Sequence, residues 1–465
     1  MNGRSGTTGL NGRLGPDALL APLRAALATP QGDGAELWVH RRRAAITRYS
    51  QSSIHQNALS DDLEIRASVA IGGRVGTATA NSLTADGLQA LLRDAASLAR
   101  LQPANAGWPG FAAAAEHAAP HAFDAATAEA EAGEQAAAIG RICDAAIARG
   151  FRAAGTHAID LTEDAVASSN GVAAYAPATV AYLRALVQGS GGGAGYADDL
   201  GARLTDLDPE GIAARANEKC ALDRDRTQLP SGDYEAVFEE DAVAEILRIV
   251  SITGCGAQAV AEGRSFMSGA IGEAVTGPRF TLHDDALDPR QLGIPFDPEG
   301  TPKRRVALVE SGVARGPVYD RWSAKAAGTV STGHAADPER NGRTAHAGSL
   351  VMEGGTATRE QLIGSVTHGI LITRFHYTNT PDPKRATMTG TTRDGTFLIE
   401  DGKIVGALAN VRYTMSALDL FAGIELLGPQ RLVRDWWSTN GMGSIVCLAP
   451  PMKVSRATIT GSSPL

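Results

Sequence analysis

The chain has few cysteines, and none are close together. Its four (Cys143, Cys220, Cys255 and Cys447) form no CxxC pair, which argues against a zinc ribbon or a disulfide framework and fits a reducing compartment. Each reads as a small buried hydrophobe, and Cys447 lies in the strand-like run SIVCLAP. Long apolar runs are also missing. No stretch of about 18 apolar residues occurs, so no transmembrane helix is expected. Positive charge is not in excess: 43 Lys and Arg against 51 Asp and Glu leave a net charge of −8. That balance excludes nucleic acid as the main partner, because phosphate binding requires a basic face. The opening MNGRSGTTGLNGRLG has no apolar h-region and reads as a flexible leader over residues 1–15. These absences together predict a cytoplasmic chain that engages neither nucleic acid nor membrane.

Catalytic signatures are missing as well. None of the ten histidines is followed by glutamate, so no HExxH-like motif occurs, and there is no GxSxG elbow. The run GSGGGAG (189–195) lacks the Gly-Lys-Ser/Thr ending of a phosphate loop and is followed by Asp198 and Asp199. It reads as a flexible loop. His283-Asp284-Asp285 offers ligand types at its edge, but a hydrogen-bonded histidine is the better reading. No cofactor or metal is expected.

What is present is a chain of 465 residues, 43% hydrophobic and 20% charged, long enough for two domains. Residues 16–29 predict a helix. In LEIRASVAI (63–71) Leu63, Ile65, Ala67, Val69 and Ile71 alternate on one face, the mark of a half-buried strand. Gly72-Gly73 permits a tight hairpin with RVGTATA. Thr84 is placed to cap a helix whose stripe is Leu88, Leu91, Leu92, Ala95 and Ala99. An Ala- and Glu-rich block from 125 to 149 predicts another helix, stopped by Gly150. Asn170-Gly171 signals a second hairpin, and 178–188 a further strand. DRDRTQLPSGDYEAVF (223–238) reads as a connector. Beyond it, short strands and turns dominate. Asp401-Gly402 suits a type I′ hairpin, and Thr358 with Gln361 has capping-box spacing on a helix that Gly369 can end. The expected fold class is therefore α+β. It comprises an N-terminal layered domain with antiparallel strands (16–228) and a β-rich, barrel-like C-terminal domain (229–465).

FEEDAVAEILRIVSITGCG predicts an amphipathic helix. Val243, Ile246, Leu247 and Val250 form the core stripe, while Asp241, Glu245 and Arg248 share a solvated face. Glu245 and Arg248 stand at i, i+3, a surface ion pair worth about 0.2–0.5 kcal/mol.

Several stretches carry a family resemblance. DYEAVFEEDAVAEILRIV, GRSFM, LDPRQLGIPFDPEGTPKRRVALVESGVARG, TGHA (332–335), ATMTGTTRDGTFLIEDGKIVGAL and PMKVS resemble the TldD/PmbA family. The most specific pieces are PFDPEGTPKRR…ESGVARG and TTRDGTFLIEDGKI. The resemblance implies two kinds of subunit. The TldD kind carries HExxxH on the helix after the strand matching DYEAVFEE, plus a cysteine near the C-terminus, and holds one metal. Here that helix reads EILRIVSITG, and DWWSTNGMGSIVCLAPPMKV resembles the PmbA ending. The resemblance thus implies a metal-free PmbA/TldE-type subunit with no catalytic residue of its own. Its partner would be a TldD-type metallopeptidase subunit, acting with it on small or unfolded peptides. The β-rich half offers strand edges for an extended peptide. Candidates for contact with substrate or partner are His334, His376, Arg393 and Asp394. The alternatives are a homodimeric peptide-binding protein, or a stand-alone peptidase with a site of another kind.

Overall fold

The computed structural model describes residues 12–29, 31–336, 345–434 and 445–463. The first sheet is built from β1 (Gly34–Ser50), β2 (Ser53–Ile71), β3 (Arg74–Ala80), β4 (Arg152–Ser168), β5 (Ala173–Gln188) and β6 (Ala194–Gly201). Its order is β3-β2-β1-β4-β5-β6, with every neighbouring pair antiparallel. Side chains alternate across a strand, so this sheet has an odd face and an even face. Odd residues such as Leu37, Val39, Ile65, Ala67 and Val69 pack under α1 (Pro16–Leu27) and α2 (Ala85–Leu101). Further along the same face, Tyr49, Leu183, Ala185 and Val187 meet α4 (Ala132–Ile147) and α5 (Pro209–Leu222). Between α2 and α4 the short α3 (Ala125–Glu129) is capped by Asp124. Even residues face the C-terminal half: Trp38, Val166 and Ala174 pack with Phe296, and Val180 and Tyr182 with Leu292. Because both faces are covered, β4 and β5 are buried almost continuously.

The expected turns are found. Gly72 and Gly73 both have positive φ between β2 and β3, and Gly171 does so between β4 and β5. Thr84 accepts the Gly87 N–H at the start of α2. Gly150, also at positive φ, follows α4. Two differences arise. The strand read over 63–71 begins at Ser53, and β1 before it is an additional strand of 17 residues. Of the leader expected over 1–15, residues 1–11 lie outside the described residues, whereas Leu14 and Gly15 donate their N–H groups to the Glu163 carboxylate at 2.9 and 2.8 Å.

The C-terminal half holds two open sheets around one helix, α6 (Glu240–Gly254). One sheet contains β8 (Leu282–Asp284), β9 (Val306–Glu310), β10 (Val313–Ala314), β11 (Ser349–Met352), β19 (Arg431–Arg434) and β20 (Val446–Ala449), in the order β10-β9-β8-β11-β20-β19. The other has nine strands: β7 (Gly232–Phe238), β12 (His368–Ile372), β13 (Phe375–Asp382), β14 (Thr387–Thr392), β15 (Thr396–Glu400), β16 (Lys403–Ala407), β17 (Val411–Ser416), β18 (Ile424–Leu427) and β21 (Met452–Ser462). Its order is β13-β14-β17-β21-β7-β12-β15-β16, with β18 paired to β21. The half is β-rich as expected, but the sheets stay open and do not close into a barrel. Side chains of α6 pack in one cluster with Phe238, Ile370 and Val454 of the larger sheet and with Leu282, Leu308 and Leu350 of the smaller. No described helix is long and apolar enough to cross a membrane.

The capping box at Thr358 and Gln361 opens the helix Arg359–Gly364. Gly369 does not end it: Ser365 does, and Gly369 lies in β12, where a Cβ would meet the Glu235 carbonyl oxygen at 2.3 Å. The β15–β16 turn has Asp401 at φ 47° and Gly402 at φ 74°, the left-handed pair a type I′ turn requires. A Cβ on Gly402 would also come within 2.9 Å of the Gly364 carbonyl oxygen. Gly402→Val is accordingly expected to cost about 1–2 kcal/mol, seen as a lower urea midpoint. An unchanged midpoint would show that this turn tolerates a side chain.

Candidate functional site

The helix α6 was expected to expose a charged face, and it does not. Packed between two sheets, it buries Glu245 along with its apolar stripe. Arg248 grips the Glu245 carboxylate with two hydrogen bonds, at 3.2 and 3.1 Å, so the pair is interior and not solvated. Asp241 is bound by Arg431 of β19 at 2.9 Å, and the same guanidinium holds Asp198 of β6 at 3.0 Å. Tyr182 and Tyr196 add their hydroxyls to Asp198. Burial pushes the Asp241 carboxyl up to about 7, with Asp198 adding to it and Arg431 opposing. For Asp198, burial is outweighed by Arg431, the Tyr196 hydroxyl and Arg434, which together hold it below the usual carboxylate range.

Beside this network, a cavity of about 430 Å³ opens between the even face of the first sheet and the C-terminal half. The N-terminal side contributes Arg48 of β1, His55 of β2, Arg184 of β5 and Tyr196 of β6. The other side contributes Arg374 between β12 and β13, Arg393 and Asp394 between β14 and β15, and Arg434 at the end of β19. Asp394 stands at φ 57° and Gly395 at φ 134°, a turn that carries Asp394 back towards Arg374 at 3.0 Å. Arg374 lies over the Tyr196 ring at 4.2 Å, and Arg434 over Tyr182 at 3.5 Å.

Three of the four expected contact residues therefore meet at one place. The Arg393 guanidinium lies 2.6 Å from His376 Nε2 and 3.7 Å from Asp394. Burial, then Arg393 and Arg374, push the His376 ring down to about 4, so it is neutral at pH 7. His334 is elsewhere. It is 1% exposed, with Nε2 2.8 Å from Asp284 and Nδ1 against Thr332, an interior position that touches no cavity wall named here. His283, its neighbour in sequence to that aspartate, lies 2.9 Å from Arg305 and 3.4 Å from Glu353. Sequence reasoning missed Arg48, Arg184, Arg374 and Arg434. The signal was a lone arginine within otherwise apolar or aromatic strand sequence, as in AYLRALV and ITRFHY. Among the described residues, no three His, Cys, Asp or Glu side chains converge as metal ligands.

Residues 231–461 match the family described as the PmbA/TldA metallopeptidase C-terminal domain. The chain belongs to the TldD/PmbA family. The metalloprotease TldD homolog of Buchnera aphidicola (subspecies Acyrthosiphon pisum) is 26% identical over 214 residues, 43% of this chain and 42% of that protein. The Haemophilus influenzae TldD homolog is 26% identical over 219 residues, again 43% and 42%. The match thus spans less than half the length of these curated relatives. The crystal structure of TldE from Thermococcus kodakarensis superposes with a TM-score of 0.85 at 21% identity, over 94% of this chain and 98% of that one. Identity that low speaks for the fold alone.

In this TldD/PmbA chain, the residues of α6 do not fit the metal centre that the resemblance implies for the TldD kind. The helix carries no histidine, and its buried glutamate is already neutralised by Arg248. The ending DWWSTNGMGS, residues 435–444, lies outside the described residues; Cys447 beyond it is fully buried in β20.

Proposed function

We propose that this chain is a metal-free, non-catalytic subunit of the PmbA/TldE kind. In this reading it pairs with a TldD-type metallopeptidase subunit, in the cytoplasm, and the complex acts on small or unfolded peptides. Residues 16–228 and 229–465 would be its two domains. The observation that carries the reading is α6. A water-activating metal site needs imidazole or thiolate ligands and a free carboxylate base. Here the one buried glutamate of α6 is locked to Arg248, and among the described residues no set of metal ligands accompanies it. The open sheets support a peptide-holding role. The larger one ends in β13 and β16, whose outer edges carry no further strand among the described residues, and an edge can take an extended peptide through backbone hydrogen bonds.

The test is reconstitution. The purified chain alone is expected to hold no stoichiometric metal and to cleave no unfolded peptide. Mixed with a TldD-type subunit, it should form a stable one-to-one complex with peptidase activity. About one tightly bound metal per chain, with cleavage by the chain alone, would replace this reading with a stand-alone peptidase. A stable homodimer with no affinity for the TldD-type subunit would replace it with a peptide-binding protein.

A further inference from the structure

The cavity between the two halves has an unusual charge balance for an acidic chain. Five guanidiniums (Arg48, Arg184, Arg374, Arg393 and Arg434) line it against a single carboxylate, Asp394. The other acids nearby are already engaged: Asp160 by Arg42 at 2.6 Å, and Asp198 by Arg431 and two tyrosines. Asp394 is shared between Arg374 and Arg393. Among the described residues, Arg184 has no carboxylate within ion-pair distance. Among those same residues, Arg48 is hydrogen-bonded only to the neutral Gln56 side chain, at 3.3 Å. Among the described residues, the buried Nε atoms of Arg374 and Arg434 have no hydrogen-bond partner. A buried donor left unsatisfied is costly, and natural proteins rarely tolerate it without a ligand, water or function.

We infer that this cavity is a subsite for a carboxylate-bearing ligand, specifically the C-terminal carboxylate of a peptide. Guanidinium pairs a carboxylate in a planar two-point geometry that a lysine cannot offer. The arginines converge from both halves of the chain, so an oxyanion at their centre accepts hydrogen bonds from several sides. The volume lies in the range of small-ligand sites, roughly 300–1,000 Å³, enough for a peptide end but not for a folded chain. Tyr196, Leu186, Ile46 and Ala158 supply apolar wall beside the charges, which suits an end with a modest side chain. That the carboxylate belongs to a peptide rests on the peptide-handling reading above; the anion preference rests on the arginines.

The experiment is calorimetric titration of the full-length chain alone with three probes. These are penta-alanine with a free C-terminal carboxylate, the same peptide as its C-terminal amide, and inorganic phosphate. The free acid is expected to bind at least tenfold more tightly than the amide, and more tightly than phosphate. Binding of the acid should weaken as salt rises. Arg393→Gln, at an exposed turn position, and Arg184→Gln should each weaken the acid tenfold or more, narrowing the gap between acid and amide. Equal binding of acid and amide, no binding of either, or indifference to both variants would overturn the inference. Phosphate binding more tightly than the peptide acid would overturn the peptide assignment. No partner subunit enters these measurements, so failure here leaves the assembly experiment untouched, and failure of assembly leaves these titrations interpretable.

Discussion

Arg431→Met should cost this protein about 3–5 kcal/mol at pH 8, because it strands two buried carboxylates that share one guanidinium. Arg431 ties β6 of the first sheet to α6 of the C-terminal half, bonding Asp198 at 3.0 Å and Asp241 at 2.9 Å. Methionine fills similar volume, so the loss reports charge rather than a cavity. The pH dependence identifies the cause. Asp241 already has its carboxyl raised to about 7 by burial and by Asp198, well above the unfolded value of about 3.9. Removing Arg431 raises it further. A carboxyl whose folded value is raised takes up a proton on folding, so its stability contribution is present at low pH and lost as pH rises through the folded value. The variant's deficit should therefore be smaller at pH 6 than at pH 8. Guanidinium unfolding followed by circular dichroism at the two values checks this. A deficit below about 1 kcal/mol would mean the network is not what joins these elements.

A loss of similar size, about 3–5 kcal/mol, is expected for Asp284→Ala. Asp284 and His334 are both fully buried, 2.8 Å apart, and the second carboxylate oxygen accepts the Ser349 N–H at 2.9 Å. Burial alone would raise this carboxyl, but His334, Lys303 and the Ser349 N–H outweigh it and bring it to about 2. A depressed carboxyl contributes stability above its unfolded value of about 3.9 and loses it as pH falls through its folded value. The window is thus pH 4 down to 2, and the contribution at neutral pH is roughly 2–3 kcal/mol. Asp284→Asn keeps the shape and loses the charge. Its stability should converge on that of the unaltered protein as pH falls through this window, measured by urea midpoints. A gap that stays constant from pH 7 to pH 2.5 would assign the effect to shape rather than charge.

The residues explain what could be read from the chain and what could not. Turns written by glycine at positive φ, such as Gly72-Gly73 and Asp401-Gly402, are local events and were legible. So was α2, whose cap and apolar stripe lie within 17 residues. β1 was not. Its run His40-Arg41-Arg42-Arg43 places charge on both faces and breaks the alternation. The structure absorbs that charge by pairing Arg41 with Asp61 and Glu163, Arg42 with Asp160, and His40 with Asp164 on neighbouring strands. Those partners stand up to 124 residues away. The charged side of α6 was misread for the same reason, since Arg431 lies 190 residues from Asp241. The candidate site was half legible. His376, Arg393 and Asp394 sit close in sequence, but Arg48 and Arg184 reach the cavity only because the even face of a distant sheet turns towards it.

The strand order of the nine-stranded sheet has a consequence for synthesis. Its middle is formed by β21 lying between β17 and β7, and Lys453 on β21 meets Glu235 on β7 from 218 residues away. At about 5–20 residues per second, β7 leaves the ribosome roughly 10–40 s before its neighbour does. Throughout that interval one side of β7 has no partner, and neither does the far side of β17 once it emerges. Those edges stay unpaired until β21 arrives, and any premature stop before Met452 leaves the sheet split through its centre.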